Sequence, residues 1–342
     1  MKQFFYLLAA MAVISCNNND DDPQPLGSYD NGILVLNEGG AGTVDYISAD
    51  LQTAQQDVFT VVNGASQDIG QYAQSIFFEG ARAFIISNGS NKITVVNRYT
   101  FEYLATISTG LDVPRYGVVE GGKAYVTNMA SFFDDTDDYV AVIDLADLTL
   151  GEPIAMNTYA DRIASGGGKI WVANGAFGSG DSVTVIDPDT DAITGTIQTE
   201  LAPNSLEYKD GILYVLCATS GEGGKLIRID GADAQIVDAM AIPDLYPQNL
   251  DIEGSKAYFT AGTKIYAPEK SATTFNNAEL VDTQSDSDYI GYGFAVHGDR
   301  IYISEAAEDF SSNGKVLVYG LSGNLIADIP AGLGPNGFYF NL

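Results

Sequence analysis

The chain has 342 residues, 46% of them hydrophobic, which is enough to bury the core of one large all-β domain or two smaller domains. Its 16 Lys and Arg residues against 45 Asp and Glu residues give a formal net charge of −29. A field of this sign repels polyanions and argues against nucleic acid as a partner. The acidic residues are scattered through turns, as on a solvated, soluble surface.

The N-terminal residues carry the most specific local signal. Lys2 is followed by the apolar run FFYLLAAMAVI, too short to span a bilayer and of the right length for the hydrophobic region of a signal peptide. The run ends in VISC, which resembles a bacterial lipobox, where cleavage precedes an acylated cysteine. We expect residues 1–15 to be a lipoprotein signal peptide and Cys16 to be lipidated. The alternative is an ordinary secretory peptide with a chance cysteine.

Residues 16–30 are expected to form a flexible acidic tether. They contain NNNDDDPQPLGS, which cannot bury a core. The stretch resembles the export signal of Bacteroidota lipoproteins, which implies a lipid-anchored protein of the outer membrane, exposed at the cell surface and touching the membrane through its anchor only. The one other cysteine, Cys217, is predicted to be a small core residue.

From residue 31 onward one type of strand recurs. The copies are ILVLNEG (from residue 33), AFIISNG (83), AYVTNMA (124), IWVANGA (170), LYVLCAT (213), AYFTAGT (257) and IYISEAA (301). Their starts are separated by 50, 41, 46, 43, 44 and 44 residues. Seven units of this length are typical of four-stranded propeller blades. We therefore predict an all-β fold, a seven-bladed β-propeller over residues 31–342.

The two ends of this region predict how the ring closes. The chain ends in GPNGFYFNL (334–342), which matches APNSLEY (202–208), the first strand of a unit. The repeats begin instead with NGILVLNEG, a second strand that lacks a first. The C-terminal strand is therefore expected to complete the N-terminal blade and to leave no open sheet edge inside the ring.

Several of these segments are similar to the YVTN or YncE-like propellers. The segments are NEGG (37–40), QSI (74–76), SNKITVVN (90–97), PRYG (114–117) and AYVTN (124–128). They resemble in particular the surface lipoproteins encoded beside TonB-dependent cobalamin receptors in Bacteroidota. The resemblance implies capture of a corrinoid on one propeller face and its transfer to a TonB-dependent outer-membrane receptor. Related propellers serve other cargo, since a fold does not fix a function.

Polar residues recur nine positions before each repeated strand. They are Gln74, Arg115, Asp161, Asn204, Gln248 and Tyr292, with Asn336 as the seventh by its Pro-Asn match. The next position adds Tyr116, Arg162 and Asn249. The loops before the first strand and after the second lie on one face of a propeller blade, so this ring is a candidate ligand site. The alternative is that it only lines a water-filled channel.

Loops on the same face supply candidate apolar contacts. Phe132, Phe133 and Phe177 lie in loops without an amphipathic strand to bury them, and Asn128 and Tyr246 border such loops. An aromatic and amide-rich face suits a large amphipathic ligand. The alternative is that these rings pack on neighbouring loops.

Two acidic stretches have features of metal sites. DPDTDAITG (187–195) has the first three aspartates of a calcium loop but Ala192 in place of glycine and Gln198 in place of glutamate, which favours a hairpin turn. DDTDD (134–138) is denser and leaves a cation open. We expect no resident metal and no cofactor.

The rival functions are a propeller enzyme of lactonase or lyase type and a protein-binding scaffold or adhesin. A histidine-based site would have to use His297, the only histidine, which falls in a turn on the opposite face. This leaves a carboxylate-metal lactonase open. We expect a binding protein that catalyses no reaction.

Overall fold

Seven four-stranded antiparallel sheets form the part of the chain that the structure describes, residues 25–341 of a computed structural model. The predicted signal peptide, Cys16 and the tether up to residue 24 lie outside the described residues. The first strand of each sheet contacts the first strand of the next, and these contacts close into a ring around a central channel. The predicted seven-bladed β-propeller is confirmed.

The strands are numbered in chain order, and each blade is given from the channel outward. Blade 1 contains β28 Pro335–Asn341, β1 Gly32–Asn37, β2 Thr43–Ser48 and β3 Ala54–Gln55. Blade 2 contains β4 Ala73–Glu79, β5 Arg82–Ser87, β6 Lys92–Asn97 and β7 Tyr103–Ile107. Blade 3 contains β8 Pro114–Glu120, β9 Lys123–Asn128, β10 Tyr139–Asp144 and β11 Ile154–Ala155.

The other four blades repeat this order. Blade 4 contains β12 Ile163–Gly166, β13 Lys169–Ala176, β14 Ser179–Asp187 and β15 Ala192–Gln198. Blade 5 contains β16 Pro203–Lys209, β17 Ile212–Thr219, β18 Gly223–Asp230 and β19 Ile236–Ile242. Blade 6 contains β20 Gln248–Glu253, β21 Lys256–Ala261, β22 Lys264–Tyr266 and β23 Glu279–Asp282. Blade 7 contains β24 Ile290–His297, β25 Arg300–Glu305, β26 Lys315–Gly320 and β27 Leu325–Pro330.

Apolar side chains between neighbouring blades form the core. The repeated second strands are hydrophobic at nearly every position because both of their faces pack against another blade. The third residue of six of these strands is aromatic and at most 4% exposed. These residues are Phe84, Tyr125, Trp171, Tyr214, Tyr258 and Tyr302. The repeat therefore encodes the packing between blades as well as the strands themselves.

The C-terminal strand completes the first blade as predicted. β28 pairs antiparallel with β1, from Gly32 opposite Asn341 to Asn37 opposite Pro335. Asn341 is buried, and its Nδ2 donates to the carbonyls of Tyr29 (2.9 Å) and Arg98 (2.7 Å). The strand is thus tied both to its own blade and to the turn of blade 2.

Two features at the start of the propeller differ from the sequence analysis. Tyr29, assigned to the tether, is buried against Tyr46 and Phe101, so the packed chain begins before residue 31. Residues Val58–Asn63 form a short helix, α1, that no helical periodicity indicated; its N-cap Asp57 accepts a hydrogen bond from the Thr60 amide (3.2 Å). No helix within residues 25–341 is long and apolar enough to cross a membrane.

Most of the innermost strands carry a β-bulge near their first residues. Gln74 in β4 and Asn204 in β16 are each an extra residue without a cross-strand partner, and Asn336 in β28 is another. Longer irregularities occur at residues 115–116 in β8, 249–250 in β20 and 291–293 in β24. Because a bulge re-aims side chains at the end of a strand, these positions are released from the regular face of the sheet.

Candidate ligand-binding site

A cavity of about 700 Å³ opens at the end of the channel where the innermost strands begin. Its volume lies in the range of small-molecule sites. Eight of the predicted binding residues line it. The polar ones are Gln74, Arg115, Tyr116, Arg162, Tyr292 and Asn336, and the apolar ones are Phe132 and Phe177. Lining residues that were not among the predicted set are Glu38, Tyr72, Asn88, Gly89, Asn91 and Val113.

Gln74 is the centre of a hydrogen-bond network on the cavity wall. Its Nε2 donates to the hydroxyl of Tyr116 (2.8 Å), and its Oε1 accepts from Asn88 Nδ2 (2.9 Å) and from Arg115 Nη1. The network joins residues of blades 2 and 3. It holds three cavity side chains in fixed positions, as a preorganised site requires.

Arg115 is held from behind by Asp161. The Nε of Arg115 lies 2.8 Å from Asp161 Oδ1, and both side chains are largely buried. Burial disfavours a charged guanidinium, but the adjacent Asp161 carboxylate, with contributions from Tyr116 and Glu38, outweighs this effect and raises the pKa of Arg115. Arg115 is therefore charged at any pH of interest, and Asp161 positions it without lining the cavity.

Arg162, which follows Asp161 in the chain, is in a different environment from Arg115. Its guanidinium lies over the ring of Tyr116, 4.1 Å from the ring centroid. This distance is typical of a cation–π contact. Tyr116 is thus fixed from two sides, by Gln74 at its hydroxyl and by Arg162 on its ring face.

The opposite wall is formed by Glu38 and Tyr292. The Tyr292 hydroxyl donates to the Glu38 carboxylate, and burial together with this bond raises the pKa of Tyr292. Tyr292 also packs against Phe310, with ring centroids 5.4 Å apart, and Phe310 packs on Tyr289 at 4.7 Å. Glu38 belongs to the loop after β1, and the sequence marked it twice, by its place in the NEGG segment and by its place in a loop that follows a repeated strand.

Aromatic side chains border the mouth of the cavity. Phe132 and Phe177 are 53% and 73% exposed, with ring centroids 6.4 Å apart. They come from the loop after β9 and from the tight turn between β13 and β14. Exposed phenyl rings beside a polar cavity can contact the apolar part of a ligand.

Seven predicted binding residues do not line the cavity. They are Asn128, Phe133, Asp161, Asn204, Tyr246, Gln248 and Asn249. Asn128 is buried, where its Oδ1 accepts from the Asp112 amide (3.0 Å). Asn204 and Asn249 donate to the carbonyls of Pro247 (2.9 Å) and Gly291 (2.8 Å) in the next blade. These amides join blades, so the predicted ring is a binding surface over only part of its circumference.

Asp161 is buried behind Arg115, and the remaining three of these seven residues are exposed. Phe133 is fully exposed at the tip of its loop, and Tyr246 and Gln248 lie at the surface of blade 6. His297 lies at the far end of β24 from Tyr292, stacked on Phe340 with ring centroids 4.4 Å apart.

The acidic stretches have local explanations. Asp134 Oδ1 accepts from the amide (3.0 Å) and hydroxyl (2.6 Å) of Thr136, and the buried Asp138 accepts from the Ala160 amide (2.7 Å). The 187–195 stretch covers the β14–β15 turn and the start of β15, and Asp191 in the turn lies 2.7 Å from Lys123 Nζ. Within residues 25–341, no three His, Cys, Asp or Glu side chains are grouped as metal ligands.

Comparison with known proteins gives one family. The family described as "Domain of unknown function (DUF5074)" matches residues 31–299. A search of curated proteins found no match.

Solved structures share the fold at low sequence identity. Hydrazine synthase of Kuenenia stuttgartiensis is 18% identical, with a TM-score of 0.60 over 75% of this chain and 86% of that one. Apo AztD from Citrobacter koseri is 11% identical, with a TM-score of 0.57 over 90% and 96%. Dihydro-heme d1 dehydrogenase NirN in complex with DHE is 15% identical, with a TM-score of 0.56 over 92% and 75%. At these identities the likeness shows the propeller fold alone, and the neighbours' differing names agree with the rule that a fold hosts many functions.

Proposed function

The chain belongs to the DUF5074 family, and we propose that it is a lipid-anchored surface protein that captures a corrinoid such as cobalamin without catalysing a reaction. The observation that carries the proposal is a cavity at one end of the channel, lined by fixed amide, arginine and tyrosine groups and bordered by exposed phenyl rings. Capture would be followed by transfer to a TonB-dependent outer-membrane transporter.

The chemistry of a corrinoid fits such a cavity. The corrin ring is flat and edged by amides, and cobalamin adds a nucleotide tail. Amide edges pair with Gln74, Asn88 and Glu38, while the apolar ring faces suit Phe132 and Phe177. The cavity would take one part of so large a ligand, with the rest lying against the exposed rim.

Calorimetry with cyanocobalamin tests this function. The purified protein should bind it without added metal or cofactor. Tyr116→Ala and Phe177→Ala should each weaken binding about tenfold or more, the usual range for losing an aromatic contact in a binding site. His297→Ala is the matched aromatic control at the other end of the channel and should bind as the wild type does.

Other outcomes favour the rival functions. Absence of binding at micromolar concentrations would discard the corrinoid as ligand, and loss of an activity in His297→Ala would favour an enzyme working on the opposite face. A gene for a TonB-dependent corrinoid receptor beside the gene of this chain would support the transfer step.

A further inference from the structure

Arg115 and Arg162 both line the cavity, but only Arg115 has an acidic partner in the described part of the chain. Arg115 has Asp161 at 2.8 Å and Gln74 as partners. The guanidinium of Arg162 makes no ion pair and no hydrogen bond to another side chain or carbonyl of residues 25–341. Its one specific contact is the ring of Tyr116. A contact of this kind holds the guanidinium over the ring and leaves its N–H groups available.

A second donor lies beside these groups. The Tyr116 oxygen accepts from Gln74 Nε2 (2.8 Å), so its own hydrogen is directed elsewhere, and no residue among 25–341 accepts it. Tyr116 and Arg162 both line the cavity. The planar guanidinium of Arg162 and the free hydroxyl of Tyr116 can together donate hydrogen bonds to the oxygens of a carboxylate or a phosphate ester.

We propose that Arg162, with the Tyr116 hydroxyl, binds an oxyanion of the ligand, either a phosphodiester or a carboxylate. The inference rests on the proposed function for the identity of the ligand but not for the chemistry of the group bound. With a formal net charge of −29, the protein repels anions at long range, so an anionic ligand needs a local unpaired cation. Among the cavity residues, Arg162 is that cation.

The wall formed by Glu38 and Tyr292 determines how the ligand is oriented in the cavity. Glu38 and Tyr292 belong to blades 1 and 7, three positions around the ring from blade 4, which carries Arg162. Glu38 accepts from Tyr292 through Oε2, and a second carboxylate oxygen remains to accept from amide N–H groups. The anionic end of the ligand therefore lies toward blades 3 and 4, and its amide-donating end toward blades 7 and 1.

The test compares two corrinoids that differ in the anionic group. Cyanocobalamin has a phosphodiester in its nucleotide tail, whereas dicyanocobinamide lacks that tail. Calorimetry should show that Arg162→Gln weakens cyanocobalamin binding about tenfold to a hundredfold and changes dicyanocobinamide binding by less than about threefold. Lys264→Gln, an equal change of charge outside the cavity, should alter neither. Equal effects of Arg162→Gln on both corrinoids, or no effect, would overturn the inference.

A further arm separates this inference from the proposed ligand. If the wild type binds neither corrinoid, the corrinoid assignment fails and the oxyanion site is tested directly with inorganic phosphate and with acetate. One arginine Nε resonance should shift on titration of one of these anions and be missing from the spectrum of Arg162→Gln. Phosphate alone would indicate a phosphate ester and acetate alone a carboxylate. If neither anion shifts an Arg162 resonance, the site does not bind oxyanions.

Discussion

Among single residues, Gln74 has the largest role in ordering the cavity. It satisfies Arg115, Asn88 and Tyr116 at once. Gln74→Ala should lower the free energy of unfolding by about 1–3 kcal/mol, because partly buried donors lose their acceptor. Urea denaturation measures the change. The exposed Gln67→Ala is the matched control and should stay within about 0.5 kcal/mol of the wild type. An equal loss in both variants would refute the role of the network.

Asp138 gives the protein a pH dependence. Burial raises its pKa to about 7, and its Oδ1 has no hydrogen-bond partner among the described residues. A carboxyl whose folded pKa is raised stabilises the fold most below its ordinary pKa of about 4, and this contribution is lost as the pH rises through the folded value. Burial shifts Glu207 and Asp251 in the same direction.

The raised pKa of Asp138 predicts that the protein loses stability between pH 5 and pH 8. Unfolding experiments at pH 5 and pH 8 should show the wild type less stable at pH 8. Asp138→Asn retains an oxygen for the Ala160 amide and carries no charge, so it should reduce the difference and be more stable than the wild type at pH 8. If Asp138→Asn were less stable than the wild type, and by more at pH 8 than at pH 5, the raised pKa of Asp138 would be contradicted.

The site residues show where sequence reasoning stops. Counting nine positions back located the strand starts correctly, and the bulges there explain why Gln74 and Tyr292 reach the cavity. The same count selected Asn204, and the position after it selected Asn249, but the amides of both residues bond the next blade. Spacing in the sequence fixes the position of a residue along a strand, but the direction of its side chain depends on the local bulge and on the neighbouring carbonyls.

At the level of the elements, the repeats contain most of the fold. Apolar second strands whose third residue is aromatic specify both the sheets and the contacts between blades. The helix α1 was missed because six residues are too few to show a helical period, and it is stabilised by the capping Asp57 and by burial of Val58 and Phe59.

Side chains supply hydrogen-bond acceptors for backbone amides of the innermost strands. These strands have no further strand to pair with on the channel side, so their amides need other acceptors. In blades 5 and 6, Glu207 accepts from the Ile252 amide (2.7 Å) and Asp251 from the Val296 amide (2.9 Å) of the following blade. These two carboxylates join neighbouring blades, which gives them a structural role.

Closure by β28 leads to a prediction about the whole sheet. Deleting residues 337–342 should lower the melting temperature of the entire domain, because it unpairs β1 and removes the Asn341 bonds to Tyr29 and Arg98. Asn341→Ala should have a smaller effect and lower the free energy of unfolding by about 1–3 kcal/mol. The exposed Asn313→Ala serves as its control. Unchanged melting of the truncated protein would contradict closure of the ring by this strand.

For the whole molecule, membrane attachment is predicted to depend on one residue. Cys16→Ala should remove the site of acylation and release the protein from washed membranes, because a stable anchor of this kind requires the lipid chains. Fractionation followed by immunoblotting measures the release. A Ser15→Ala variant, which keeps a small residue before the cysteine, should remain attached. Retention of Cys16→Ala in the membrane fraction would refute the lipid anchor.

The placement of the ligand on one face of the propeller is the central claim, and hydrogen exchange with and without cyanocobalamin tests it most directly. Ligand should slow exchange in segments around the cavity, namely 71–75, 88–92, 113–117 and 174–180. The turns at the other end of the channel, at 79–82, 120–123 and 297–300, should exchange at unchanged rates. Slower exchange confined to those turns, or no change anywhere, would contradict the claim.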